Sequence, residues 1–337
     1  MVGKQSLLFE KDVYIRCSAT VVGNKEAKGP LGEEFDVIVK DDMFGANSWE
    51  EAESRIQEMA VDKLLIKSGL NIDDVDYIYA GDLLGQLIAT SFGLEKYGKP
   101  LFGLYGACST MGEALCLAAM SVNAGYSDNV IALASSHFAS AEKQFRYPLE
   151  YGNQRPEAST WTVTGSGAYI VSSENPESET GVIIRGVTTG KIVDYGVKDS
   201  MNMGACMAPA AADLIETNFK DLGVKGNYYD AIYTGDLGQV GNRILNDLLV
   251  ERGINIADKL KDCGMIIYEG ETKCSGGSGC GCSAVVLSTY IMKKLKSGEY
   301  RRVLFVPTGA LLSTVSYNEG KSVPGIAHGV ILERKEK

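Results

Sequence analysis

An internal repeat is the feature that most constrains the fold of this 337-residue chain. Residues 76–83 read Asp-Tyr-Ile-Tyr-Ala-Gly-Asp-Leu, and residues 230–237 read Asp-Ala-Ile-Tyr-Thr-Gly-Asp-Leu. Six of these eight positions are identical, at an offset of 154 residues. Such self-similarity indicates two copies of one structural plan that bury their apolar faces together. We therefore predict two halves, residues 1–175 and 176–337, that form one pseudo-symmetric unit.

Each copy of the repeat alternates predicted helices with short apolar strands. A capping-box pattern, Ser48 with Glu51, opens the first helix, and glycines end the helices. The predicted helices run from Ser48 to Gly69, from Cys108 to Gly125 and from Cys282 to Gly298. The predicted strands are Val75–Ala80, Val130–Ser135 and Val303–Thr308. Alternation of this kind predicts a layered α/β fold, with any site at the seam between the halves.

The charge and the apolar pattern exclude several classes of function. With 33 Lys and Arg against 43 Asp and Glu, the net charge is −10. This charge argues against binding to nucleic acid and against unaided docking on anionic lipid. We expect no signal peptide and no transmembrane segment, because no run of about 18 apolar residues occurs. Eight cysteines in such a chain predict reduced thiols in an intracellular protein.

Cys108 is the residue with the sharpest predicted chemistry. It lies on a glycine-containing turn, Gly106-Ala-Cys108, at the predicted start of a helix. Free N–H groups at such an end are expected to lower a thiol's pKa, and they can hold an oxyanion or a carboxylate. The alternative is a buried cysteine that acts as a small apolar side chain.

A zinc site is a further alternative for the other cysteines. Cys263, Cys274, Cys280 and Cys282 lie close in sequence, but their spacing lacks the paired C-x2-C of common zinc modules. We expect no metal site and no cofactor.

Three features resemble the thiolase superfamily, which includes the ketoacyl synthases. They are the duplicated halves, the Ala107-Cys-Ser segment at a helix start and the segment Gly165-Ser-Gly-Ala. That resemblance implies a thiolase-like α/β fold with αβαβα layers and a two-fold dimer. More closely, about residues 29–330 resemble the stage V sporulation protein AD family of spore-forming bacteria. Segments that carry this likeness include Gly29-Pro-Leu-Gly, Met207-Ala-Pro-Ala-Ala-Ala-Asp, Gly276-Gly-Ser-Gly-Cys and Ala327-His-Gly-Val.

The resemblance to condensing enzymes also implies groups that this chain lacks. Those enzymes use His with Asn or His, or a second Cys, from the C-terminal half. The resembling loops here, Thr234-Gly-Asp-Leu-Gly and residues 274–280, contain neither His nor Asn, and Pro307-Thr-Gly-Ala-Leu-Leu lacks the second cysteine. We expect a non-catalytic protein in which Cys108 is a vestigial nucleophile. The alternatives are an acyl-transfer enzyme with His137 as its base, and a scaffold subunit of a membrane channel complex.

The sporulation-family resemblance implies a ligand, dipicolinic acid (pyridine-2,6-dicarboxylic acid), either free or as its calcium chelate. It implies a role in moving this compound into the developing spore and releasing it at germination. The implied partners are membrane proteins of the same complex, which would attach the chain to the spore inner membrane. Residues 141–155 supply three cations and three aromatic side chains for a flat diacid. The predicted binding residues are Cys108, Ser109, His137, Lys143, Arg146, Gly276, Gly277, Ser278 and Gly279.

Overall fold

The computed structural model describes residues 1–145, 156–175, 180–270 and 274–336. The helices are α1 Trp49–Ser68, α2 Ile88–Leu94, α3 Thr110–Ala124, α4 Phe138–Phe145, α5 Met203–Leu222, α6 Gly238–Glu251, α7 Cys263–Ile267, α8 Cys280–Val286, α9 Met292–Ser297 and α10 Thr314–Asn318. The strands are β1 Ser6–Leu8, β2 Tyr14–Val22, β3 Val37–Ile38, β4 Tyr77–Gly81, β5 Leu101–Gly103, β6 Asn129–Ser136, β7 Trp161–Thr162, β8 Gly165–Ser172, β9 Gly181–Thr188, β10 Ala231–Thr234, β11 Leu260–Asp262, β12 Gly277–Ser278, β13 Arg302–Val306, β14 Thr308–Ala310, β15 Gly325–Ala327 and β16 Gly329–Lys335. A π-helical turn, Leu287–Ile291, joins α8 to α9.

The ends of α1 follow from local chemistry, and the predicted helix is confirmed. Ser48 Oγ accepts a hydrogen bond from the backbone N–H of Glu51 at 3.2 Å, which satisfies one free donor of the first turn. The Glu51 carboxylate accepts from the N–H of Asn47 at 3.1 Å, one residue earlier than a standard capping box requires. Gly69 ends the helix in the left-handed conformation, with φ of 67°.

The main sheet consists of two arrays of five strands with the same internal order. The first array is β5-β4-β6-β8-β2 and the second is β11-β10-β13-β16-β9. In each array the first three strands pair in parallel and the last two join antiparallel. The arrays meet where Tyr14 of β2 pairs with Ile183 of β9. The strand pattern thus repeats around a pseudo-two-fold axis between β2 and β9.

Helices cover both faces of each array, which gives the αβαβα layering. Alternate residues of β6 point to opposite faces, as the pleat requires. Val130 packs in the central cluster with Met111 of α3 and Val285 of α8, whereas Ile131 packs against Ile56 of α1 on the outer face. In the second array α5 and α6 form the outer layer. The central helices α3 and α8 therefore lie between the two arrays, and the predicted fold class is confirmed.

Candidate functional site

A tight 3-10 turn, Ala107–Ser109, carries Cys108 immediately before α3. The Gly106 N–H donates to Thr110 Oγ1 at 3.1 Å, and Ser109 Oγ donates to the Gly106 carbonyl at 2.6 Å. Ala107 has φ of 50°, in the left-handed region that costs a non-glycine residue about 1–2 kcal/mol. These local hydrogen bonds hold a strained backbone that places the Cys108 thiol at the seam between the halves.

Asp236, two residues after β10, interacts with Cys108 from the other half of the chain. Its side chain is fully buried. Oδ2 accepts from the Gly279 N–H at 3.0 Å, and Oδ1 accepts from Thr308 Oγ1 at 3.0 Å. The Cys108 thiol interacts electrostatically with the same carboxyl group. Asp236 is not among the predicted binding residues, although it belongs to the repeated Gly-Asp-Leu motif.

Burial controls the protonation of this pair. Burial, reinforced by the Asp236 charge, raises the pKa of the Cys108 thiol well above its ordinary value. Burial also raises the pKa of Asp236 to about 7. The interaction with the Cys108 thiol opposes this shift, and the charge of Asp262 adds to it. The expectation that the helix end lowers the thiol pKa is therefore wrong. The cost of desolvating a thiolate exceeds what the turn's N–H groups supply.

The Cys108 thiol lines a cavity of about 30 Å³, which is room for one or two waters. Both halves contribute to its wall, as a seam site requires. The other lining residues are Leu83, Tyr105, Ala107, Ala141, Glu142, Phe145, Thr162, Met203, Ser278, Gly279, Ala310 and Leu312. Within the described ranges this wall contains no Lys, Arg or His.

A larger cleft of about 380 Å³ lies outside the cavity and shares four wall residues with it: Leu83, Tyr105, Phe145 and Leu312. The further lining residues are Leu84, Gly85, Gln86, Leu87, Gln144, Leu311, Ser313 and Thr314. Gln86 and Leu87 have φ of 56° and 53°, so two successive side-chain-bearing residues adopt the left-handed conformation. One wall thus comes from the first half and the opposite wall from the second.

The structure brings together Cys108, Ser278 and Gly279 of the predicted binding residues. Gly276 and Gly277 lie behind this wall, where they pair with Trp161 and hold the loop in place.

The structure does not bring His137 to the cavity. Its Nε2 donates to the Asp42 carbonyl at 2.8 Å, and its Nδ1 accepts from the Ala139 N–H at 3.1 Å. The ring packs 5.5 Å from the Trp49 ring, centroid to centroid. Burial lowers the pKa of His137, which favours the neutral ring that this pairing requires. Both ring nitrogens are used by backbone groups, so His137 is a structural residue in this arrangement.

Of the predicted cations, Lys143 is described and does not line the cavity. Lys143 forms a surface ion pair with Glu50 at 2.6 Å and is about half exposed. Arg146 lies outside the described residues.

Metal ligands and membrane-spanning helices are also not found in the described part of the chain. No three His, Cys, Asp or Glu side chains there come together to hold a metal ion. No described helix is both long and apolar enough to cross a bilayer.

A buried acidic pair lies behind β6, close to the site. Glu53 Oε1 accepts from Ser135 Oγ at 2.9 Å, and Oε2 accepts from Ser140 Oγ at 2.6 Å. Asp82 accepts from the hydroxyl of Thr90 at 2.6 Å and from its N–H at 2.8 Å. Burial, together with the Asp82 charge, raises the pKa of Glu53 to about 8. Glu53 is therefore protonated near neutral pH.

The fold is similar to solved condensing enzymes at low sequence identity. The 3-oxoacyl-[acyl-carrier-protein] synthase III of Aquifex aeolicus VF5 aligns with a TM-score of 0.54 and 13% identity, over 95% of this chain and 99% of that one. The corresponding enzyme of Pseudomonas aeruginosa PAO1 gives 0.57 and 11% over 97% and 99%. AbyA1, a tetronic acid condensing enzyme, gives 0.61 and 17% over 96% and 99%. These likenesses establish the thiolase-like fold.

The sequence comparisons identify a narrower family. The family model described as stage V sporulation protein AD (SpoVAD) matches residues 3–333. The curated stage V sporulation protein AD of Bacillus subtilis (strain 168) is 43% identical over 335 residues, which are 99% of this chain and 98% of that protein. The chain belongs to the stage V sporulation protein AD family.

Proposed function

We propose that this chain is a non-catalytic protein that binds dipicolinic acid and takes part in its movement into the developing spore and its release at germination. Membership of a sporulation family supports the setting. The observation that carries the non-catalytic assignment is the buried Asp236 carboxyl group, which Gly279 N–H and Thr308 Oγ1 hold at the seam near Cys108. A carboxyl group stands where a condensing enzyme needs a base or an oxyanion donor, and burial disfavours the thiolate.

The volumes favour the outer cleft as the place of the aromatic ring. A cavity of about 150 Å³ accommodates benzene, so about 30 Å³ beside Cys108 is too small for a pyridine ring. The cleft of about 380 Å³ is large enough. Leu83, Phe145 and Leu312 offer apolar contacts to a planar ring, and the Tyr105 ring offers a stacking surface.

Neutral polar groups at the cleft edge suit the carboxylates of the ligand. Gln86 and Gln144 carry amide donors, and Ser313 and Thr314 carry hydroxyl donors. Arg146 follows the cleft residue Phe145 by one position, and it stays the predicted cationic partner of a carboxylate. The calcium chelate is neutral, so its binding would depend less on the positive charge of Arg146 than binding of the free dianion would.

Calorimetric titration of dipicolinate, with and without equimolar calcium, tests the proposal. Gly85→Phe should fill the cleft, because a Cβ at Gly85 meets only the Gln144 side chain, at 3.8 Å and beyond. We expect its affinity to fall at least tenfold, and that of Arg146→Ala to fall as well. Val315→Phe is the matched control, since Val315 is 66% exposed on α10 and does not line the cleft. Full affinity in Gly85→Phe would place the ligand elsewhere, and no binding by wild type would refute the proposal.

Cys108→Asp tests the inner cavity separately. If the ring lies in the outer cleft, this change should weaken dipicolinate binding less than Gly85→Phe does. A larger loss in Cys108→Asp would place the ligand against the thiol.

An acyl-transfer or condensing enzyme is the second candidate function, favoured by the turn that carries Cys108 before a helix. Incubation with acyl thioesters followed by intact mass measurement discriminates the two. We expect no acyl adduct on wild type; an adduct that disappears in Cys108→Ala would support the enzyme.

We further propose a homodimer formed through β5, the edge strand of the first array. Leu101 and Phe102 on this edge are exposed, and apolar edge strands tend to pair with another chain. Sedimentation velocity should give a dimer for wild type and a monomer for Phe102→Glu. Tyr126→Glu is the control, at a residue 79% exposed outside the sheet. A wild-type monomer would refute this part.

Membrane proteins of the same sporulation complex are the proposed attachment partners at the spore inner membrane. The net charge of −10 opposes unaided binding to anionic lipid. In flotation with phosphatidylglycerol vesicles the purified chain should stay unbound, and direct flotation would contradict a need for partners.

A further inference from the structure

We infer that a cationic cleft at the start of β10 and β13 is a docking surface for an acidic segment of a partner protein. The inference rests on the proposal that partner proteins attach this chain, and it adds the surface and the chemistry of the segment that binds there. The cleft has a volume of about 560 Å³. Its lining residues are Gly223, Val224, Lys225, Asn227, Tyr228, Asp230, Arg301 and Arg302.

The cleft lies at the edge of the sheet opposite the seam site. β10 and β13 pair in parallel. Asp230 and Arg301 immediately precede these two strands, whereas Asp236 and Thr308 follow them. A partner at the cleft therefore leaves the seam site and the dipicolinate cleft unobstructed.

Lys225 and Arg301 supply the free positive charge of the cleft. Both side chains are exposed, and no carboxylate pairs with either of them in the part of the chain that the structure describes. Lys225 comes from the loop before β10, and Arg301 is the last residue before β13. Ammonium and guanidinium groups of this kind form charge-assisted hydrogen bonds with the carboxylates of a partner.

Arg302 forms a fixed part of the cleft wall. Its Nε and Nη2 donate to Glu333 Oε2 at 2.8 and 2.7 Å, which neutralises its charge. Its guanidinium group stacks 4.0 Å from the centroid of the Tyr228 ring, and that ring packs edge-on against Tyr229. The Tyr228 side of the cleft therefore has a defined shape before any partner binds.

Asp230 already uses the backbone donors at this edge. Its Oδ2 accepts from the N–H of Arg301 at 2.7 Å and from the N–H of Arg302 at 2.8 Å. Converging N–H groups of this kind are what holds a small free anion such as phosphate. The remaining positive charge lies on long, separate side chains, which suit the spaced carboxylates of a peptide.

The corresponding edge of the first half has the opposite charge. A 3-10 turn precedes the first of the paired strands in both halves, Ile72–Asp74 before β4 and Gly226–Tyr228 before β10. The strand registers also agree, so residues before these strands correspond between the halves. The corresponding pairs are Asn71 and Lys225, Asp73 and Asn227, Asp74 and Tyr228, Asp76 and Asp230, Asp128 and Arg301, and Asn129 and Arg302. The first half thus has four carboxylates here, and the second half has three cations and one carboxylate.

The fold itself does not require these cations. Asp76 accepts from the N–H of Asp128 at 2.7 Å and from the N–H of Asn129 at 3.3 Å, as Asp230 does in the second half. The same backbone arrangement therefore forms with an acidic residue at the position of Arg301. Lys225 and Arg301 stand out in a chain with a net charge of −10, and a role in binding accounts for them.

An acidic peptide fits this surface better than nucleic acid does. A nucleic acid carries a charge at every phosphate, and the net charge of −10 repels such a polyanion beyond the cleft. A peptide with a few acidic residues needs only the local pair of cations.

Fluorescence anisotropy of a rhodamine-labelled octaglutamate peptide tests the inference on the full chain. Wild type should bind it in about 50 mM NaCl and bind it more weakly in about 300 mM NaCl, because exposed charge pairs are screened. Lys225→Asn combined with Arg301→Asp places the first-half residues in the cleft. We expect the affinity of this double variant to fall about tenfold, since two charge pairs are lost and a new carboxylate repels the peptide.

A second double variant is the matched control. Lys198→Asn combined with Arg243→Asp makes the same change in net charge at two exposed residues outside the cleft. Its affinity should stay within about twofold of wild type, and labelled octaglutamine should not bind. Circular dichroism checks that both double variants are folded.

Four results would overturn the inference. They are no binding of octaglutamate by wild type, an equal loss in both double variants, and tighter binding of an eight-nucleotide single-stranded DNA that the cleft variant loses. The fourth is self-association in sedimentation velocity that the cleft variant loses, which would make the acidic edge of a second copy the occupant.

Dipicolinate titration of the cleft variant is read independently. Its affinity should equal that of wild type, because the two sites lie at opposite edges of the sheet. Failure of wild type to bind dipicolinate would refute that part of the proposed function and leave the peptide result standing.

Discussion

Wild type should become less stable as the pH rises, because the buried Glu53 must ionise. The Glu53→Gln variant should not show this part of the pH dependence. Glu53 is fully buried on α1, and its two oxygens accept from the hydroxyls of Ser135 and Ser140. Burial, and after it the charge of Asp82, raises its pKa to about 8. A glutamine of the same shape can occupy this position and stays neutral at every pH.

The direction and size of the effect follow from the two pKa values. The unfolded side chain titrates near 4.5 and the folded one near 8. The folded state therefore binds the proton more tightly, and this stabilisation is complete below pH 4.5 and is lost as the pH rises to 8. The full difference corresponds to roughly 3–5 kcal/mol of unfolding free energy.

Urea denaturation followed by tryptophan fluorescence at pH 5.5 and 8.5 measures this difference. Between these two pH values wild type should lose about 2–4 kcal/mol more than Glu53→Gln does. Glu58→Gln is the control, on the same helix but paired with Arg55 and Lys96 at the surface. If wild type and Glu53→Gln lose stability in parallel, Glu53 is not protonated in the folded state and the reasoning is refuted.

Three further changes test other parts of the structure. Burial lowers the pKa of His328 to about 4, so the stability that the neutral ring contributes is lost as the pH falls from 6.5 to 4. The difference in melting temperature between pH 4.5 and 7.5 should be smaller for His328→Gln than for wild type, and an equal difference would contradict this. Ser48→Ala should cost about 1 kcal/mol in urea denaturation, because it removes the N-cap of α1, and no change would show that the cap is dispensable. Gly241→Ala should destabilise the chain by about 2 kcal/mol or more, because its Cβ would lie 2.7 Å from Gly204 Cα where α5 and α6 cross; a melting temperature equal to that of wild type would refute this close packing.

The layered fold was predictable because its signals are local or repeated. Three signals lie within a few positions of the helix end or strand that they specify. These are the residues that cap α1, the glycines that end α1 and α3, and the repeated strand motif. A duplicated order of elements then leaves few ways to pair the strands.

The site was less predictable, because its contacts join distant segments. Asp236 interacts with Cys108 from 128 residues away, and nothing near either residue in the sequence marks the interaction. The repeated motif pointed to Asp236, but as evidence of duplication and not of chemistry. His137 follows β6 closely enough to suggest an approach to Cys108, yet the Asp42 carbonyl and Trp49 hold its ring elsewhere.

The position of β9 has a consequence for how the chain acquires its structure during synthesis. β9 is hydrogen-bonded to β1 near the beginning of the chain and to β16 near its end. β1 therefore leaves the ribosome about 170 residues before β9. About 140 further residues are then synthesised before β16 can pair with β9. Until then the growing chain exposes unpaired strand edges, which favour aggregation at the ribosome and binding by chaperones. The strands of the second half complete the sheet late. Errors in their translation would therefore also leave strand edges of the first half unpaired.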